Sequence, residues 1–189
     1  MRLLALDTSF SFLNATLIEE GEVIACFYED RGKKTLEELP AVLKRMEVNP
    51  DEVDAFAVSI GIGYLTSLRI GITFMKTLAY LTKKPILGFE NLYIMGLFTQ
   101  VEEPKVCLLR VSNNVFYRVF SGGEAGPVEI MKDSLPQVRK VGLKRQGLGE
   151  LEFFPFSLYG GLWAYRRLQE GYGGDDPLFL EPLYMKPPL

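Results

Sequence analysis

The chain has no histidine among its 189 residues. That removes the Ser-His-Asp triad, the Cys-His dyad and every His-ligated zinc centre from consideration. Cysteine is scarce too: Cys26 and Cys107 are the only two, too few for a zinc site made of cysteines. Both lie in apolar, strand-like runs and are expected to be reduced core residues of a cytoplasmic protein. Acid–base chemistry would fall to Asp, Glu, Lys or Tyr. No apolar run reaches the ~18 residues of a membrane helix, so no membrane association is expected. The opening "MRLLALDTS" is too short and too strand-like for a signal peptide. A basic excess is also missing. The net charge is -3 and the pI about 5.2, whereas a stand-alone nucleic-acid binder usually has a pI above ~9. A hydrophobic share of 48% suits one globular chain, or two small subdomains around a shared core.

Periodicity orders the rest. Arg2 to Asp7 reads as a buried strand ending in a polar turn, Asp7-Thr8-Ser9. Phe12 to Glu19 and Glu22 to Glu29 read as strands joined at Glu20-Gly21. Thr35 and Glu38 have capping-box spacing, which predicts a helix from there to about Glu47, with Pro40 an awkward guest inside it. Asp54 to Ile60 is a near-continuous apolar run, the pattern of a strand buried on both faces. A long helix follows, ended by Lys83-Lys84-Pro85. Then come a short strand in "PILGF" and a helix over Asn91 to Gln100. The character changes near Glu102-Glu103-Pro104, which divides the chain into 1–102 and 103–189. Beyond it lie a hairpin, Val106–Val111 and Val115–Phe120, turning at Asn113-Asn114, a strand near Val128 to Met131, and a helix over Leu158 to Gln169. Asp133 to Glu152 carries no readable pattern, and the tail from Gly171 reads as extended. Strands and helices in this order predict an α/β fold with mixed sheets and flanking helices.

Two loops carry the candidate chemistry. Asp7, Thr8 and Ser9 stand just past the first strand, where a carboxylate and two hydroxyls can hold a metal–phosphate or cap the turn through Asx-type bonds. Gly61 and Gly63 begin a G-x-G-x-x-G pattern, but Thr66 replaces the third glycine and no acid stands about 20 residues on. That favours a tight strand-to-helix turn with Thr66 or Ser67 as N-cap, although a helix N-terminus still offers N–H groups to an anion. Lys33-Lys34 reads as a solvated loop or a phosphate contact. Tyr159, Trp163 and Tyr165 read as core or docking residues. The long helix is too apolar for one core face. Leu68, Ile72, Met75 and Ala79 share one face, Gly71 and Leu78 lie beside it, and Ile70, Phe74 and Leu81 continue further round. The arc spans roughly 200°, about twice the stripe one core needs. The preceding helix has its own stripe in Leu36, Leu39, Val42, Leu43 and Met46. The surplus calls for a second domain or a second chain.

"LLALDTS", "DAFAVSIGIGYLTSLRIGITFMKTLAYLTKKPILGFENL" and the closing "FLEPLYMK" together resemble the TsaB (YeaZ) family, small relatives of the TsaD proteins. The family's usual run is D-x-I-A-V-G-x-G-P-G-S-F-T-G-L-R-I-G. Gly61, Gly63, Thr66, Leu68, Arg69, Ile70 and Gly71 fit it. Ile62 replaces the loop proline, Tyr64-Leu65 replace Ser-Phe, Lys33-Lys34-Thr35 replace the usual His-Ser, and Leu109-Arg110-Val111 replace an Asp-Ala-Arg. The resemblance implies an actin-like, ribonuclease H-like (ASKHA) fold of two subdomains. It implies a non-catalytic scaffold subunit without metal or catalytic residue, serving N6-threonylcarbamoyladenosine formation at tRNA position 37. The implied partners are TsaD, the catalytic subunit, paired through the first two helices of each chain, and the ATPase TsaE. A homodimer is expected when the chain is alone, tRNA would be met only through the complex, and ATP or ADP at most at the complex interface. The docking candidates are Leu36, Leu39, Leu43, Met46, Leu68, Gly71, Ile72, Met75 and Ala79. The weak phosphate-loop candidates are Asp7, Thr8, Ser9, Gly61, Gly63 and Thr66.

Two other readings stand beside this one. A kinase-like nucleotide enzyme would use Asp7, Thr8 and the glycine loop. It would also need a second acidic phosphate loop, and "VCLLRVSNN" has no Asp or Glu to supply it. A homodimeric regulatory protein would use the same helices to bind its own copy.

Overall fold

The first three strands, β1 (Arg2–Asp7), β2 (Phe12–Glu19) and β3 (Glu22–Asp30), form an antiparallel meander in a computed structural model that describes residues 1–30 and 38–185. At the β2–β3 turn Glu20 and Gly21 both take positive φ, 50° and 84°, the primed-turn geometry that follows strand twist. β1 and β2 are buried along nearly their whole length, as strands covered on both faces must be. β4 (Ala55–Gly61) and β5 (Ile86–Glu90) join β1 in parallel, giving the order β3-β2-β1-β4-β5. β3 is therefore an edge strand, with Val23 and Ile24 exposed. Cys26 lies on it and is exposed as well, which corrects its assignment to the core, while Cys107 is buried. An apolar strand run at a sheet edge has only one side to hide.

Helices α1 (Leu39–Arg45) and α2 (Leu65–Thr82) cover one face of this sheet. Helix α1 begins after Glu38, later than the capping-box spacing predicts, and Thr35 lies outside the described residues. The late start puts Pro40 in the first turn, where its missing N–H breaks no helical bond. Helix α2 has Tyr64 as N-cap rather than Thr66 or Ser67, and Lys83 closes it in the left-handed region at φ 56°. On the opposite face lie α3 (Asn91–Phe98) and α4 (Phe156–Gln169).

The second sheet contains β6 (Lys105–Val111), β7 (Asn114–Ser121), β8 (Glu124–Ala125), β9 (Glu129–Ile130) and β10 (Arg139–Gly142). Its order is β10-β6-β7-β8, with β9 also on β7. The β6–β7 turn falls at Ser112-Asn113, one residue earlier than expected, with Ser112 at φ 53°. β10 occupies the stretch that carried no pattern. One core runs from Leu3 and Phe89 through Leu92 and Met95 of α3 to Cys107 and Leu109 of β6. The break near residue 102 separates the two sheets. Helix α4 nevertheless crosses back: Ser157 N donates to Asn14 Oδ1 at 2.7 Å, and its hydroxyl lies 2.8 Å from that of Thr16, both partners on β2. Two mixed sheets with flanking helices agree with the actin-like (ASKHA) architecture that the sequence resemblance implies.

Candidate functional site

The parallel strands β1, β4 and β5 end together at Asp7, Gly61 and Glu90. Open α/β sheets bind ligands at such strand ends. The turn Asp7–Ser9 and the loop Gly61–Gly63 do meet there, as the two sequence patterns imply. They meet as a packed junction. Asp7, Thr8 and Ser9 are each 0–1% exposed. One oxygen of Asp7 accepts from the N–H of Ser9 at 3.0 Å and from its hydroxyl, and the other accepts from Asn14 Nδ2 at 2.9 Å. Burial pushes the Asp7 carboxyl above its ordinary range, and the donors of Ser9 and Asn14 pull the other way.

The glycines serve close approach. A Cβ on Gly63 would lie 2.4 Å from that of Ser9 and 2.6 Å from its carbonyl oxygen, which already accepts from Tyr64 N at 2.8 Å. Asn91, at the start of α3, donates to Ser9 Oγ at 2.9 Å and to the Ile62 carbonyl at 3.0 Å, and accepts from Ser59 Oγ at 2.9 Å. The side chains of Asp7, Thr8 and Ser9 are thus turned onto neighbouring segments. Asp7, Thr8, Ser9, Gly61 and Gly63, the phosphate-loop candidates, come together at one junction, with the three side chains bonded inside the chain. Thr66 is exposed on the first turn of α2, apart from this junction. Asn14 and Asn91 hold the network together and were missed. Each stands in an apolar run, where a lone Asn is the signal that a buried acceptor or donor needs a partner.

The docking stripe is also redrawn. Leu39, Leu43, Leu68, Ile72, Met75 and Ala79 all lie in the core under the first sheet, Leu43 being the most exposed at 8%. Gly71 is buried and admits Thr8: a Cβ there would stand 2.2 Å from Thr8 Oγ1, which donates to the Ser67 carbonyl at 2.6 Å. All seven are buried within the chain's own fold. Met46 is half-buried at the rim of the same core, and Leu36 and Lys33-Lys34 lie outside the described residues. A helix apolar on two sides has two candidate inner faces, and periodicity does not say which one the sheet takes. What α2 turns outward is Ile70, Phe74 and Leu78, half-buried on the flank beside the core, with Leu81 and Tyr80 exposed at 70% and 79%.

The tail runs along the other flank of α2. Asp175 pairs with Ile86 and Gly88 of β5, Lys76 Nζ donates to the Leu180 carbonyl at 3.1 Å, and Leu183 N donates to the Ile60 carbonyl at 2.8 Å. The Arg69 guanidinium reaches Tyr184 Oη at 3.1 Å and stacks over its ring. Near the end of β5, Glu90 caps α3 by accepting from the N–H groups of Leu92 and Tyr93, and pairs with Arg118 at 2.7 Å. Burial raises the Glu90 carboxyl while Arg118 and the capping donors lower it. Tyr159 packs on Phe98 and Phe154, and Trp163 meets Tyr93 edge-on, so these aromatics serve packing. Among the described residues no cluster of three His, Cys, Asp or Glu side chains could hold a metal, and no helix is long and apolar enough to cross a membrane.

Known proteins share both sequence and fold with this chain. The family model described as TsaD, tRNA N6-adenosine threonylcarbamoyltransferase, matches residues 33–116. The tRNA threonylcarbamoyladenosine biosynthesis protein TsaB of Bacillus subtilis (strain 168) is 34% identical over 96 residues, 49% of this chain and 42% of that protein. A tRNA N6-adenosine threonylcarbamoyltransferase of Clostridium novyi (strain NT) is 31% identical over 97 residues, 47% of this chain and 28% of that protein. The chain thus spans less than half the length of these curated relatives. The solved structure of YeaZ from Pseudomonas aeruginosa superposes with a TM-score of 0.74 at 21% identity, covering 97% of this chain and 99% of that one. A second structure, described as an uncharacterized protein with similarity to peptidase YEAZ from Pseudomonas aeruginosa, gives a TM-score of 0.76 over 98% and 99% of the two chains. Sequence likeness to TsaB over about half the chain, the match to the TsaD model over residues 33–116 and the likeness to the YeaZ fold over nearly the whole chain agree with the motif in β4 and α2: the chain is similar to the TsaB/YeaZ proteins.

Proposed function

We propose that the chain is a non-catalytic subunit for N6-threonylcarbamoyladenosine modification of tRNA, pairing with a catalytic partner of the TsaD type. The observation that carries the reading is a contrast on either side of one loop. The side chains of Asp7, Thr8 and Ser9 are buried and bonded within the chain, so they are not presented to a phosphate. The helix leaving that loop keeps an apolar outer flank at Ile70, Phe74, Leu78 and Leu81. Side chains of this kind on the surface of a long helix suit a helix-on-helix interface with another protein. Docking therefore uses the outer flank of α2 and the rim at Met46, not the buried stripe. The chain brings no cofactor of its own. An ATPase of the TsaE type joins the pair, and tRNA is met through the complex. Alone, the same flank pairs with a second copy.

The test is reconstitution. The purified chain is mixed with a TsaD-type protein, and the pair is followed by size-exclusion chromatography and by threonylcarbamoylation of tRNA with the remaining components present. A 1:1 complex and chain-dependent modification are expected. Modification that proceeds equally well without the chain would refute the role.

A further inference from the structure

A hollow of about 420 Å³ lies between the two sheets, beside the filled junction. Three segments wall it: Ile62, Gly63 and Leu65 where β4 passes into α2, Val111 and Phe116 from the β6–β7 hairpin, and Leu183 and Met185 from the tail. Ser112 and Asn114 stand at the hairpin side as its polar groups, with Tyr184 from the tail. None of the described residues that line it carries a charge. The nearest guanidinium on α2, that of Arg69, is already spent on Tyr184. The volume falls within the roughly 300–1,000 Å³ of small-molecule sites, which are mostly apolar with a few placed polar groups.

This chemistry selects against the ligand the fold would suggest. An anion placed here would lose its water and find no charged side chain in return, a cost of several kcal/mol, which the N-terminus of α2 at Leu65 offsets by only about 0.3–1 kcal/mol. A flat, uncharged molecule would bury its faces against Ile62, Leu65 and Phe116 and reach one or two polar groups. We propose that this cleft binds a small uncharged aromatic or heterocyclic molecule. The tail is part of the site, because Leu183 and Met185 form its third wall. They are held there by the bond from Leu183 N to the Ile60 carbonyl and by Leu180, which is 7% exposed. The proposal is independent of partner docking, which uses the other flank of α2.

A matched series that varies charge at nearly constant shape tests it: indole-3-acetamide, indole-3-acetate and tryptamine, added to the full chain and followed by amide chemical-shift mapping. The neutral probe is expected to bind with a dissociation constant below about 1 mM. Shifts should be confined to residues 60–65, 111–116 and 180–185, and both charged probes should bind at least tenfold more weakly. Leu65→Trp fills the hollow from a position that is already 37% exposed. It should abolish binding with an unchanged thermal melt. If Leu65→Trp unfolds, the shift map of the unaltered chain decides alone. No binding at about 5 mM, equal binding of the acetate, shifts centred elsewhere, or full affinity in a folded Leu65→Trp would each overturn the proposal.

Discussion

Replacing Gly71 by alanine distinguishes a packed junction from an open phosphate cradle. In a solvent-facing helix interior this change stabilises by about 1 kcal/mol, because alanine is the better helix former. In this chain the new Cβ would stand 2.2 Å from Thr8 Oγ1 and 2.9 Å from its Cγ2. Thr8 has little room to yield: it is 1% exposed, and its hydroxyl is fixed to the Ser67 carbonyl at 2.6 Å. Overpacking of this kind costs roughly 1–3 kcal/mol, so the expected gain should vanish and the net effect should be a loss of up to about 2 kcal/mol. Thr8→Ala removes both clashing atoms at the expense of about one hydrogen bond, ~1 kcal/mol. In that background Gly71→Ala meets only the Thr8 Cβ position, at 3.1 Å, and most of its penalty should disappear. The double-mutant cycle should therefore show a coupling of about 1–3 kcal/mol. Urea unfolding followed by far-ultraviolet circular dichroism measures all four corners. A rise in midpoint for Gly71→Ala alone, or strict additivity of the two changes, would refute the interlock and reopen the loop as a phosphate site.

Other expectations follow from the same contacts. Asp7→Asn should cost about 1–3 kcal/mol, because Asn14 cannot turn to accept: its Oδ1 already takes the Ser157 N–H at 2.7 Å. The raised Asp7 carboxyl means the folded chain binds more protons than the unfolded one between its ordinary value and its raised one. Wild-type stability relative to Asp7→Asn should therefore fall as pH rises through that window, which paired urea titrations at several pH values would detect. Arg118→Ala leaves the Glu90 carboxylate buried with only its capping N–H groups and should lower stability by about 3 kcal/mol, measured in the same way. Leu180→Ala should cost about 2–3 kcal/mol and make the tail more sensitive to limited proteolysis than α4, since Leu180 is its buried anchor.

The first sheet was legible because its strands are long, apolar and bounded by polar turns. β1 and β2 end where the pattern ends, and the β2–β3 turn declared itself through Glu20-Gly21. Local signals failed where tertiary contact decides. Thr35 and Glu38 have capping spacing, yet Glu38 itself starts the helix and makes no side-chain cap bond. Tyr64 caps α2 without a suitable side chain, because the Tyr64 N–H and the Ser9 carbonyl fix the entry of the chain instead. The short strand β10 exists only by pairing with β6, a partner distant in sequence. At the candidate site the residues Asp7 to Ser9 and Gly61 to Gly63 were found, but their role was not. Glycines placed for close backbone approach look the same in sequence whether a phosphate or a neighbouring turn fills the space. The partners that decide the matter, Asn14 and Asn91, signal only that some buried group needs a partner, not which one.

The surplus apolar arc of α2 supports a sharper experiment than sequence alone permits, because the helix now has a defined inside and outside. Met75 is fully buried beneath the sheet, while Leu81, less than two turns further along, is 70% exposed. A glutamate at Met75 would strand a charge in the core, with a penalty of several kcal/mol that exceeds most of a domain's stability margin. Met75→Glu should therefore lose its cooperative melt, and its failure to pair with a TsaD-type protein would say nothing about docking. Leu43→Glu belongs to the same class, being 8% exposed in the same cluster. Leu81→Glu should leave the melt unchanged. In a packed complex its carboxylate would be desolvated without a partner, again at several kcal/mol. Each ~1.4 kcal/mol is tenfold in affinity, so pairing should weaken at least a hundredfold, and threonylcarbamoylation should fall with it. Ile70→Glu, at the other end of the flank and half-buried, should show the same loss of pairing with a small drop in melting temperature. Titration calorimetry beside a melt for each variant separates the two effects. Folded Leu81→Glu and Ile70→Glu variants that still pair with undiminished affinity would show that the outer flank of α2 is not the docking face.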